Sequence, residues 1–327
     1  MMGCMTTFPT LDPELAAAVA MFPTLDFADL PTARAIYDAM IGTVLADLSF
    51  DGVTLREISA PGMDGDPDVT IRFVTPDNAT GPIPVVLWIH GGGFAIGRAE
   101  SDDPFAVKVA RELGFAVANV EYRLAPETPF PGPLNDCYAA LTYIYAHAEE
   151  LGIDPNRIAV AGASAGGGLA AGTVLKARDE GVVPVAFQLL EVPALDDRLT
   201  TVSMTNFVDT PLWHRPNAIR SWKFYLGESY SGPEDPDVCV YAAPARELDL
   251  TGLPPTYLTA MELDPLRDEG IEYALRLLQA GVSVELHSFS GTFHGSTLVA
   301  TAEVSKRGAA EVLNALQRGL RSLSPVS

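Results

Sequence analysis

Cysteine is scarce in this chain of 327 residues: Cys4, Cys137 and Cys239 are the only three, odd in number and far apart. That spacing supports neither a disulfide framework nor a paired-cysteine metal knuckle. Basic residues are the second shortage, with 21 Lys and Arg against 42 Asp and Glu, a formal charge of −21 and a pI near 4.5. Such a field repels phosphate backbones and anionic lipid, which excludes nucleic acid and membrane as partners. The surplus acid reads as a solubility device. No Lys or Arg precedes Arg34, so the charged start of a secretory signal is missing. No apolar run approaches the roughly 18 residues of a membrane span. Internal repeats and low-complexity segments are absent too. These absences predict a soluble, cytoplasmic protein in a reducing setting.

What is present is apolar: 48% of residues are hydrophobic and 19% charged, enough for one large core carrying an insertion. Two amphipathic helices come first, Pro13 to Met21 and Leu30 to Leu48, with Ile36, Met40, Val44 and Leu48 at helical spacing. They precede any strand and need a surface to cover. Asp51 to Ser59 and Asp68 to Pro76 flank the turn Pro61-Gly62-Met63-Asp64-Gly65 and read as an antiparallel hairpin at a sheet edge.

From Pro84 strands and helices alternate, the signature of a parallel sheet covered on both faces. The predicted strands are Val85 to Ile89, Phe115 to Val120, Ile158 to Ala161, Val185 to Leu190, Tyr257 to Met261 and Ser283 to Phe289. The predicted helices run from about Asp103 to Leu113, Pro133 to Leu151, Gly167 to Asp179, Leu266 to Ala280 and Ala302 to Leu323. Between Asp196 and about Tyr230 the alternation stops in a stretch rich in Trp, Phe and Met, most simply an insertion between sheet strands.

Chemistry concentrates where Ile158 to Ala161 meets Gly162-Ala163-Ser164-Ala165-Gly166. This is a G-x-S-x-G pattern between a strand and a helix, a sharp turn that lifts a serine hydroxyl above a sheet. Ser164 is the candidate nucleophile, and the N–H of Ala165 points toward the same place. Upstream, the strand ending at Ile89 leads into His90-Gly91-Gly92-Gly93-Phe94, whose unscreened backbone N–H groups suit the charge that grows on a carbonyl oxygen during acyl transfer. A serine needs a base. Of five histidines, His90 precedes the glycines, His147 sits in a helix, His214 in the insertion and His287 in the final strand. His294 lies in a loop directly after that strand and is the candidate base. The acid must come from the end of the preceding strand. Asp264 is favoured, Glu262 is the alternative, and Asp268 and Glu269 suit a helix N-terminus without any catalytic duty.

With these motifs the chain resembles the hormone-sensitive-lipase-like family of carboxylesterases, the bacterial family IV esterases of the α/β-hydrolase fold. The resemblance rests on H-G-G-G at 90 to 93, E-Y-R-L-A-P-E at 121 to 127, G-A-S-A-G-G-G at 162 to 168, D-P-L-R-D-E-G at 264 to 270 and F-H-G at 293 to 295. It implies a mostly parallel eight-stranded sheet with helices on both faces and a helical cap. It also implies a triad of Ser164, Asp264 and His294, and an oxyanion hole from the N–H groups of Gly92, Gly93 and Ala165. Residues 1–50 become N-terminal cap helices, 196–230 a cap insertion, and 51–195 with 231–327 the catalytic body.

The implied activity is hydrolysis of short-chain acyl esters with no metal or organic cofactor. The partners are a small-molecule ester and, at most, a second copy of the chain. Met204, Phe207, Trp213, Trp222 and Phe224 are expected to wall a small apolar pocket. An amidase or peptidase, a long-chain lipase, or a non-catalytic receptor such as the plant gibberellin receptor would share the scaffold; the receptor type has lost the base, which His294 supplies here. Two positions depart from the family: Ala163 replaces a residue that is often Asp or Thr, and Glu191 stands where an aromatic residue is common.

Overall fold

Apolar runs alternating with helical segments build one eight-stranded sheet in a computed structural model that describes residues 11–321. Cys4 and the rest of positions 1–10 lie outside the described residues, as do 322–327. The strands are β1 Val53–Ala60, β2 Val69–Pro76, β3 Ile83–Ile89, β4 Ala116–Glu121, β5 Ile153–Ala163, β6 Phe187–Glu191, β7 Thr256–Leu263 and β8 Val284–Phe293. Their order across the sheet is β1-β2-β4-β3-β5-β6-β7-β8. Only β2 runs against its neighbours, pairing antiparallel with β1 and β4, while the rest are parallel. The edge hairpin and the parallel body are as the alternation predicts.

Ten helices accompany the sheet among the described residues: α1 Pro13–Val19, α2 Leu30–Leu45, α3 Asp103–Leu113, α4 Gly132–Ala146, α5 Ala148–Leu151, α6 Ala165–Glu180, α7 Val202–Asn206, α8 Arg215–Leu226, α9 Arg267–Gln279 and α10 Glu303–Gly319. Residues of α4, α6 and α9 share one buried cluster with Val85, Leu87 and Val160, and those of α3 and α10 share another with Val86, Trp88 and Ala161. Alternate residues of β3 and β5 thus feed opposite cores, which is why these strands read as continuous apolar runs. Because β3 is flanked by β4 on one side and β5 on the other, the winding reverses at β3. Sites form outside the strand ends at such a switch point.

Several element boundaries shift by a few residues from the sequence reading, and three of the shifts are structural. The elbow strand is longer, since β5 begins at Ile153 and ends at Ala163. The helix expected over 133–151 breaks at His147, whose Nδ1 lies 2.9 Å from the Tyr143 carbonyl. The helix after the elbow starts at Ala165 with no intervening loop.

The E-Y-R segment after β4 is a brace. Glu121 accepts the Ala99 N–H at 2.7 Å, and the Tyr122 hydroxyl donates to the His90 carbonyl at 3.0 Å. Arg123 grips Asp136 through its backbone N–H (2.8 Å) and its guanidinium (2.7 Å). The Asp136 carboxylate is buried, with 2% of its side chain exposed, and that arginine is its ion-pair partner. Removing one member of a buried pair costs about 3–5 kcal/mol, because the other charge stays desolvated. Arg123→Ala is therefore expected to lose about that much in urea unfolding; a loss under about 1 kcal/mol would contradict the brace.

Candidate active site

Ser164 occupies the turn between β5 and α6 at φ 57°, ψ −120°, a backbone conformation sparsely populated by residues with a Cβ. Close packing holds it there. A Cβ on Gly162 would collide with the Gly166 carbonyl, and one on Gly166 with the carbonyls of Ile89 and His90. The Ser164 N–H donates to the Glu191 carbonyl at 2.8 Å, and its own carbonyl accepts from Gly168 (3.1 Å) and Ala194 (3.0 Å). The turn is thus tied to β6 on one side and built into the first turn of α6 on the other.

The glycine loop after β3 faces the same point. Gly92, at φ 121°, has no room for a side chain against the Ile96 carbonyl, and a Cβ on Gly93 would meet Phe27 and Trp213. Among the described residues the N–H groups of Gly92, Gly93 and Ala165 take no protein acceptor. Beneath the loop, His90 stacks on Tyr122 at 4.1 Å, and its Nδ1 lies 2.7 Å from the Gly91 carbonyl. Burial pushes the His90 imidazole down to about 4, so it is neutral and serves as packing. From above, Ser221 of α8 donates to the Gly93 carbonyl at 2.8 Å.

His294 directly follows β8. Its Nε2 is 2.9 Å from Ser164 Oγ and its Nδ1 is 2.7 Å from Asp264 Oδ2. Asp264 is fully buried, and its other oxygen accepts the Leu266 N–H at 2.9 Å, which fixes the carboxylate plane. The alternative acid, Glu262, is engaged elsewhere, accepting the Gly291 N–H at 2.6 Å. Asp268 accepts the Ser203 N–H at 2.7 Å, and Glu269 accepts the N–H groups of Leu195 and Asp196 at 2.7 and 3.2 Å. Both clamp the segment after β6 to α9. The remaining histidines stand apart: His214 precedes α8, and His287 binds Glu285 at 2.9 Å.

Ser164, His294 and Gly91 to Gly93 open onto a cavity of about 470 Å³. The expected aromatic wall needs correction. Of the five side chains named from the insertion, only Trp213 lines the cavity, with its ring 5.8 Å from His294. Met204 and Trp222 are buried in the main core, Phe224 packs against it, and Phe207 packs in a smaller cluster. Much of the apolar wall comes instead from Leu25, Phe27, Tyr37, Met40, Ile41 and Val44 at the N-terminal end. Asn217 of α8 fastens that end down, accepting the Phe27 N–H at 3.1 Å and donating to the Leu25 carbonyl at 2.6 Å. Composition identified the insertion as aromatic, but periodicity could not say which rings face inward.

Glu191, left open by the sequence, reaches the cavity, as do Ala163 and Asp102. Burial, reinforced by Asp102, pushes the Glu191 carboxyl up to about 7. Asp102 rises to about 6, chiefly through burial, against the opposing hydrogen bond from Trp88 Nε1 at 2.8 Å. One His and acid group close enough to share an ion occurs among the described residues, Glu285, His287 and Glu311, and none of them lines the cavity. No helix among the described residues is long and apolar enough to cross a membrane.

Comparison with known proteins gives the same picture. A family model described as alpha/beta hydrolase fold matches residues 86–298. Carboxylesterase NlhH of Mycobacterium tuberculosis (strain ATCC 25618 / H37Rv) is 36% identical over 319 residues, covering 94% of this chain and 97% of the relative. Among solved structures, Bacterial Heroin Esterase is similar at TM-score 0.96 and 84% identity, over 97% of this chain and 100% of the other. Esterase LipW from Mycobacterium marinum follows at TM-score 0.87 and 36% identity, over 96% and 97%.

The perturbed carboxyl of Glu191 makes a prediction about stability. Its ordinary value is 4.5 and its folded value about 7, so the folded state favours the protonated form. That contribution is whole below the ordinary value and is lost as pH rises through the folded one. Replacing Glu191 by Gln removes the titration. Glu191→Gln is expected to exceed the wild type in stability by on the order of 2 kcal/mol at about pH 8, allowing for partial exposure, with the gap closing toward about pH 4. Urea unfolding at both pH values measures it, and a wild type at least as stable as the variant at the higher pH would contradict it.

Proposed function

Because the chain belongs to the hormone-sensitive-lipase-like branch of the α/β-hydrolase family and is a carboxylic ester hydrolase, we propose that it cleaves short-chain acyl esters through Ser164, His294 and Asp264. The observation that carries this reading is the line of hydrogen bonds from Asp264 Oδ2 to His294 (2.7 Å) and from His294 to Ser164 Oγ (2.9 Å). With Nδ1–H donated to the carboxylate, Nε2 is left to accept the serine proton. The base is then in the tautomer that the reaction requires.

Ser164 Oγ attacks the ester carbonyl as its proton passes to His294 Nε2. Negative charge collects on the former carbonyl oxygen, where the N–H groups of Gly92, Gly93 and Ala165 stabilise it; one such donor is worth about 10²–10³ in rate. The buried Asp264 carboxylate stabilises the imidazolium. Collapse of the intermediate breaks the bond to the alkoxide, which takes the proton from His294 and leaves as alcohol. The acyl-enzyme is cleaved by water, with His294 as base in the reverse sense, and Ser164 is regenerated.

The cap in this reading combines residues 1–50, of which 11–50 are described, with the insertion 196–230, over a body formed by 51–195 and 231–327. The Asn217 bonds to Leu25 and Phe27, and the edge-to-face contact of Phe27 with Trp213 at 5.5 Å, support treating the two parts as one unit. A cavity roofed in this way favours short acyl groups.

Turnover of p-nitrophenyl acetate and butyrate tests the proposal. Ser164→Ala is expected to lose about 10⁶ in kcat and Asp264→Asn about 10⁴. Butyrate should be cleaved faster than emulsified trioleate. Equal turnover by the wild type and Ser164→Ala would end this reading, and faster cleavage of trioleate would make the protein a lipase.

A further inference from the structure

Glu191 ends β6 in register between Ala163 of β5 and Thr259 of β7. It lies one strand away from Ser164, whose N–H its carbonyl accepts at 2.8 Å. The next residue, Val192, has φ 40°, a left-handed conformation that is an outlier for a β-branched side chain. Thr259 holds this turn, its carbonyl and its Oγ1 each 3.2 Å from the Val192 N–H. Strain of this kind persists where the surroundings impose it and gathers at functional positions.

The Glu191 side chain lines the cavity that holds Ser164, and no described group hydrogen-bonds or ion-pairs with its carboxylate. The charged and titratable groups around it offer no compensation. Asp102, before α3, is a second acid bonded to Trp88, and Lys108 of α3 is exposed at the cavity lining and forms no ion pair among the described residues. His294 is already engaged by Asp264 and Ser164. Tyr37 of α2 and Tyr257 of β7 are held neutral by burial, and α10 presents Ala309, Val312 and Leu313. Ala163 leaves the wall beside it bare. The result is an unpaired carboxylate in a mainly apolar substrate pocket, a cost to the protein that a cation in the substrate would offset.

We propose that Glu191 is a specificity-determining residue which, with Asp102 beside it, selects esters carrying a cationic amine in the acyl or alcohol part. This rests on the assignment of the Ser164 cavity as the ester site. The cationic nitrogen pairs with the Glu191 carboxylate while the carbonyl sits at Ser164, and a neutral ester of the same shape gains nothing from that contact. The recognition is electrostatic and grows as Glu191 ionises.

Two matched pairs of esters test it: acetylcholine against its uncharged carbon isostere, dimethylbutyl acetate, and p-nitrophenyl trimethylammoniobutyrate against its carbon isostere. The quantity read is the ratio of kcat/KM for the charged ester to that for the neutral one, in the wild type and in Glu191→Gln. For the pair whose nitrogen reaches Glu191 the ratio is expected to fall at least about tenfold in the variant. In the wild type it should rise between about pH 6 and about pH 8, and in the variant it should stay flat. A merely structural role would depress both esters alike and leave the ratio unmoved. Ratios and pH slopes that are the same in both proteins would overturn the proposal, while turnover of the neutral esters separately tests the Ser164 site. Should the variant fail to fold, the wild type supplies a second measurement. Tetramethylammonium should compete with the neutral esters, more strongly at the higher pH, and a lack of competition at matched ionic strength would overturn the proposal.

Discussion

The structure depends on a backbone turn that an isolated chain would avoid. At Ser164 the peptide leaves β5 in a conformation that costs about 1–3 kcal/mol and enters α6 without an intervening residue. The turn survives because glycines at 162 and 166 let it press against β3 and because β6 takes the Ser164 N–H. Everything else at the site is arranged around that hydroxyl: the glycine loop after β3, Asp264 after β7 and His294 after β8. Parallel strands make this convergence natural, since their carboxyl ends share one edge of the sheet.

Several polar groups below the site brace it through hydrogen bonds. Tyr122, Glu121 and the Arg123 to Asp136 pair brace the glycine loop from behind, while Glu269 and Asp268 brace the segment after β6. Glu191 has no such partner among the described residues. A chain selected for stability alone would fill that position with an apolar group, as in the trade-off between stability and activity at binding sites. The pairing of an unpartnered acid with a strained Val192 gives a local reason to look for substrate chemistry there.

Much of this was legible in the sequence, for identifiable reasons. Continuous apolar runs marked the inner parallel strands, because a doubly covered sheet demands apolar residues at every position, and turn residues marked the edge hairpin. Ser164, Asp264 and His294 each follow a strand end, so chain order alone brought them into question. The choice between Asp264 and Glu262 was harder, since both follow the same strand and only side-chain direction separates them. Their partners, His294 for one and the Gly291 N–H for the other, are tertiary facts. The cavity wall was the least legible part. Trp222 and Trp213 sit on or beside one short helix, yet one is core and the other faces the Ser164 cavity. Phe27 and Tyr37 carried no signal at all, because their role depends on a contact across more than half the chain, between Asn217 and Leu25.

The central claim is that Ser164 Oγ, made nucleophilic by His294, takes up the acyl group. Acid-quenched protein from a reaction with p-nitrophenyl acetate, followed by intact-mass and peptide mass spectrometry, tests this most directly. The account predicts a single acetyl adduct, located on Ser164, absent from Ser164→Ala and formed far more slowly in His294→Ala. An adduct on another residue, or one that forms on Ser164 equally fast without the imidazole, would contradict it.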